Sequence, residues 1–143
     1  MNTTNFRYLF YVTRPYSFPI LQPIQDVIEE DNTNQVRWFV TKSSSQYKNQ
    51  EKELKSSEEV ILYNPDIVIA PGNTVPHFWP GLKVQIFHGL DDEVKGFYRI
   101  TGFFDLYCTP GPRMTERFKI LEKKHKHFLI KETGWPKLDI VFK

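Results

Sequence analysis

The chain has 143 residues, 40% hydrophobic and 25% charged, which suits one globular domain with a real core and gives no composition shift that marks a second. Its single cysteine, Cys108, excludes an internal disulfide and a thiolate zinc knuckle and suits a reducing compartment. The net charge of +2 is uneven: residues 1–112 carry 10 Lys and Arg against 13 Asp and Glu, and residues 113–143 carry 9 against 4. The apolar run over residues 6–12 is interrupted by Arg7, too short to span a bilayer, and lacks a signal-peptide cleavage pattern.

Residues 6–13 predict the first strand. After it, Ile20 or Leu21, Ile24, Val27 and Ile28 recur at helical spacing. Pro19 and Pro23 leave the start of that helix open, because proline is tolerated in a first turn or at a kink. Residues 35–41 predict a second strand, and the polar stretch 43–55 an exposed helix or loop. Ser56 and Glu59 have the spacing of a capping box, which predicts a helix over Ser57–Tyr63 stopped by Asn64-Pro65, with a strand over residues 60–63 as the alternative.

Residues 66–70 and 83–87 are short β-branched runs bounded by Pro and Gly, as expected of strands buried on both faces. Residues 104–109 and 127–131 complete the strands. Between them, residues 113–125 place Met114, Phe118 and Leu121 on one face of an amphipathic helix. Strands separated by helices and loops predict a three-layer, Rossmann-like α/β domain with a mainly parallel sheet and right-handed crossovers. There is no dinucleotide fingerprint and no phosphate-binding lysine loop, so neither cofactor nor metal is expected. The aromatic share of 15% fits core packing better than a base-stacking platform, and Cys108 lies in an apolar run that suits packing better than reactivity.

The run Lys83-Val84-Gln85-Ile86-Phe87-His88-Gly89 ends a strand on a histidine. Ligands of parallel α/β proteins gather at the carboxyl edge of the sheet, so an imidazole there is a candidate for chemistry; a half-buried histidine bonded to a loop carbonyl is the structural alternative. The basic cluster Arg113, Arg117, Lys119, Lys123, Lys124 and Lys126 reads either as a surface for anionic lipid or polyanion, or as a solvated helix face that complements its own dipole. Nucleic acid is not expected, since no reading helix or aromatic platform accompanies the charge.

Four blocks follow in order: Asn64-Pro65-Asp66-Ile67-Val68-Ile69-Ala70-Pro71-Gly72-Asn73, Val84-Gln85-Ile86-Phe87-His88-Gly89, Gly102-Phe103-Phe104-Asp105-Leu106-Tyr107-Cys108-Thr109-Pro110-Gly111-Pro112, and Glu132-Thr133-Gly134-Trp135-Pro136-Lys137-Leu138-Asp139. This series resembles the amino-terminal half of the CDP-glycerol glycerophosphotransferase family, the polymerases and primases of teichoic-acid type polymers. The resemblance implies the first domain of a two-domain enzyme of the glycosyltransferase B type, residues 1–143 forming the acceptor side, with donor binding in a second domain not contained in this chain. On that basis the fragment alone is expected to be inactive. The implied partners are a CDP-glycerol or related CDP-polyol donor and a polyol-phosphate or glycan acceptor, and the implied location is cytoplasmic, peripheral at the inner face of the cell membrane.

The resemblance casts His88 as general base for the acceptor's terminal hydroxyl, a role that suits a group titrating near neutrality. Gly72, Asn73, Gly89, Lys95, Arg99 and Lys137 are its candidate substrate-binding residues. One departure is visible. Many family members place a lysine soon after the His-Gly pair, whereas here Asp91, Asp92 and Glu93 come first and Lys95 follows, which leaves the acceptor's identity open. Two other readings stand beside this one: a nucleotide-sugar glycosyltransferase or epimerase domain of the same fold, and a non-catalytic binding domain in which His88 is structural.

Overall fold

The computed structural model describes residues 4–41, 50–89, 96 and 98–142. In chain order its regular elements are β1 (Arg7–Val12), α1 (Phe18–Glu29), β2 (Gln35–Val40), β3 (Glu53–Leu54), α2 (Ser57–Tyr63), β4 (Ile67–Ala70), β5 (Leu82–Ile86), β6 (Leu106–Thr109), α3 (Pro112–His125) and β7 (Leu129–Glu132). Short 3-10 segments lie at Pro15–Ser17, Gln50–Lys52 and Pro136–Val141. The expected mainly parallel sheet is parallel throughout the described residues, in the order β3-β2-β1-β4-β5-β6-β7.

Alternation along the strands divides the core in two. Phe10, Val12, Val36, Trp38, Ile69 and Ile86 face α1 and pack on its buried Ile20 and Leu21. Leu9, Val68, Ala70, Phe87 and Tyr107 face the other way, where Val60 of α2 and Met114 and Phe118 of α3 cover them. The two faces follow from handedness. The β1-α1-β2 crossover steps one way along the sheet and the β3-α2-β4 crossover steps back past β1, so right-handed connections place their helices on opposite faces.

Most element boundaries agree with the sequence patterns, and the exceptions have physical causes. Pro23 lies inside α1, beyond the first turn. The N–H it lacks would have bonded the carbonyl of Pro19, and both prolines lie on the outer side of the helix, so the deficit spares the buried stripe. Within the stretch 43–55, residues 43–49 lie outside the described residues, but Glu53–Leu54 corrects the expectation of helix or loop. This short strand pairs with Trp38 and Phe39, so sheet pairing overrides a polar local composition. The capping box forms in altered shape: Ser56 Oγ accepts from Glu59 N at 3.2 Å, while the Glu59 carboxylate takes the N–H of Lys55. Asn64 ends α2 in the left-handed region at φ 53°, and the strand alternative for residues 60–63 is not adopted.

Two aspartates pin the amino edge of the sheet. Asp66 Oδ2 accepts from Arg7 N at 2.8 Å while Asp66 N donates to Arg7 O at 2.8 Å. Asp105 and Lys83 repeat the arrangement two strands along, again at 2.8 Å in both directions. Each aspartate thus fixes the register of a neighbouring strand with a charge-assisted bond. Both belong to the blocks that carry the family resemblance, and their role here is architectural.

Candidate functional site

The reversal of strand order falls between β1 and β4, so their carboxyl ends open the crevice where doubly wound sheets take ligands. Three segments meet there: Thr13 to Tyr16 after β1, Pro71 to Asn73 after β4, and His88 after β5. Alternation explains the third. Phe87, 1% exposed, turns into the core on the α2 and α3 side, so His88 faces the side on which α1 begins.

His88 is half-buried and its Nδ1 lies 3.3 Å from Pro71 O. A carbonyl only accepts, so this contact is a hydrogen bond when Nδ1 carries the proton. In the neutral ring the lone pair then sits on Nε2, the form a base requires. The ring of Tyr16 rests against the imidazole with centroids 4.9 Å apart. Sequence reasoning missed Tyr16 and the exposed Arg14 beside it; the available signal was their place in the first strand-to-helix turn of a doubly wound fold.

The other candidates separate into groups. Gly72 is next to the crevice: a Cβ built there would sit 3.7 Å from Thr13 Oγ1, an ordinary contact, and neither Gly72 nor Asn73 has positive φ. Asn73 is held by protein at both ends of its amide, with Oδ1 accepting from the buried Gln85 Nε2 at 3.0 Å and Nδ2 donating to Gly96 O at 3.5 Å. Its carbonyl accepts from Thr101 Oγ1 at 3.2 Å. Asn73 therefore ties the β4 loop to β5 and to the 96–101 loop. Arg99, in that second loop, is exposed, and its backbone N–H bonds Gly96 O. Gly89 is buried directly after His88. Lys95 lies outside the described residues, as do Asp91, Asp92 and Glu93.

Lys137 stands apart from this cluster. It is exposed, its Nζ lies 5.5 Å from the centre of the Trp135 ring, and it lines a groove of about 360 Å³ with Pro19, Gln22, Pro23, Asp26 and Ile140. Among the described residues no other candidate lines that groove. The basic helix is divided by geometry as well. Because α3 runs from the carboxyl edge back to the amino edge, Arg113 begins at the edge that holds His88, whereas Lys123, Lys124 and Lys126 end at the opposite one. Arg117 lies 3.7 Å over the Tyr98 ring.

Two other reactive groups are engaged in structure. Burial raises the Cys108 thiol pKa, against a hydrogen bond with Thr133 that lowers it, so the thiol is held protonated and unreactive. Burial lowers the Lys83 amine pKa, against the Asp105 charge, and Nζ donates to Trp79 O and Gly81 O at 2.6 Å each, at the amino edge away from His88. Among the described residues no three His, Cys, Asp or Glu side chains gather as a metal site, and no helix is long and apolar enough to cross a membrane.

The sheet and its switch point define a doubly wound parallel α/β domain of Rossmann-like type. No family model, curated protein or solved structure matches the chain.

Proposed function

We propose that this chain is the acceptor-side domain of a glycosyltransferase B type enzyme resembling the CDP-glycerol glycerophosphotransferases. In this reading His88 Nε2 takes the proton of the acceptor's terminal hydroxyl. The oxygen forms a bond to the β-phosphorus of a CDP-activated polyol, the bond from that phosphorus to the bridging oxygen breaks, and CMP leaves with the electron pair. Donor binding belongs to a second domain, and the acceptor is a polyol phosphate or glycan anchored at the cytoplasmic membrane face. Arg99, and Arg14 in the first turn, are exposed cations that would meet acceptor phosphates.

The observation that carries this reading is the placement of His88 beside the switch point, with Nδ1 on a carbonyl and so with Nε2 as the basic nitrogen. The test is His88→Ala in the whole enzyme that carries this domain. CMP release from CDP-glycerol should fall by roughly 10²-fold or more, the usual scale for a lost general base. Unchanged release would favour the rival binding-domain reading, which the same Pro71 and Tyr16 contacts also support because they would hold a purely structural histidine.

A further inference from the structure

We propose that Tyr16 is the positioning residue of His88, holding the imidazole in the orientation and tautomer that a base needs; this rests on the general-base reading above. The turn Pro15–Ser17 does not depend on Tyr16 for its own placement. Ser17, 2% exposed, is buried and bonds Arg14 O at 3.1 Å, while Phe18 stacks on Trp38 with centroids 5.7 Å apart. Tyr16 itself is 45% exposed, so it contributes little to the core. What its ring does touch is His88, at 4.9 Å between centroids and 35° between planes.

An imidazole has two torsions, and rotation of the ring about its last bond exchanges the positions of the nitrogen edge and the carbon edge. The Pro71 carbonyl holds one edge and Tyr16 covers one face. Together they oppose the tilt that would draw Nδ1 from its acceptor, and a ring so held keeps its proton on Nδ1 and its lone pair on Nε2. The two contacts restrain different motions of the ring. At 3.3 Å the hydrogen bond is long, and a ring contact has no preference between the nitrogens.

The experiment is 15N spectroscopy of histidine-labelled protein in the neutral range of His88, with His88→Ala assigning the resonances. The unaltered chain should show a protonated Nδ1 and an unprotonated Nε2. In Tyr16→Ala the two resonances should move toward each other as tautomers mix, while Tyr16→Phe, which keeps the ring, should retain the original pair. In the whole enzyme Tyr16→Ala should lower kcat about 10- to 100-fold with KM little changed, the scale expected when a reacting group is misplaced. An unchanged tautomer in Tyr16→Ala overturns the inference, as does a Tyr16→Phe protein as impaired as Tyr16→Ala. If His88→Ala keeps full turnover while Tyr16→Ala still mixes the tautomers, the general-base reading fails and the clamp stands.

Discussion

Replacing Tyr107 by Phe should stabilise this domain. Tyr107 is fully buried, its ring centred 4.8 Å from Phe128, 5.0 Å from Phe118 and 5.6 Å from Phe104, and its hydroxyl has no hydrogen-bond partner among the described residues. Phe keeps every ring contact and removes a buried unpaired donor, whose desolvation costs about 1–3 kcal/mol. For a domain of this size that is a rise in Tm of roughly 3 °C per kcal/mol. The same burial pushes the Tyr107 pKa up to about 12. The unfolded chain ionises near pH 10, so between about pH 10 and 12 it has lost the proton that the folded chain keeps. The stabilisation held below pH 10 is therefore lost as pH rises through 12, and Tyr107→Phe should make the alkaline fall shallower. Urea titrations followed by near-ultraviolet circular dichroism at pH 7 and from pH 9 to 12 would measure both effects. A Phe variant less stable at pH 7, or one with an unaltered alkaline limb, would refute the reasoning.

Gly81 has φ 94°, and an added Cβ would lie 2.4 Å from Pro65 O, so Gly81→Ala should cost at least roughly 2–3 kcal/mol in urea unfolding. Gly72→Ala should be nearly neutral by the same assay, since its nearest neighbour stands at 3.7 Å and its backbone needs no left-handed conformation. Asp105→Ala leaves the Lys83 N–H without its carboxylate acceptor and should destabilise by about 1.5–3 kcal/mol, with faster amide exchange at the start of β5. Anionic vesicles should bind the domain weakly and in a salt-sensitive way, each basic residue near the surface contributing about 1 kcal/mol. Neutralising Lys123, Lys124 and Lys126 should weaken sedimentation with such vesicles; equal sedimentation with neutral vesicles would remove the membrane role.

The sequence by itself determined where the elements lie, because the signals are local. Alternating β-branched runs, a heptad-like set at Met114, Phe118 and Leu121, and an Asn64-Pro65 stop each act within a few residues. It also marked His88 as the end of a strand, and so as a residue of the carboxyl edge. The edge strand Glu53–Leu54 was illegible because nothing in its own residues favours a strand; only the exposed edge of β2 does. The candidate substrate residues divided for a similar reason. The motifs make Asn73 and Lys137 candidates alike, but only packing decides that the Asn73 amide is satisfied by Gln85 and that Lys137 lies over the α1 groove. The meeting of Tyr16 with His88 depends on strand order, since the turn after β1 reaches the end of β5 only because β4 alone separates those strands in the sheet. Hydrophobic period records which way a side chain faces along its own strand, and it carries no record of which strand lies beside it.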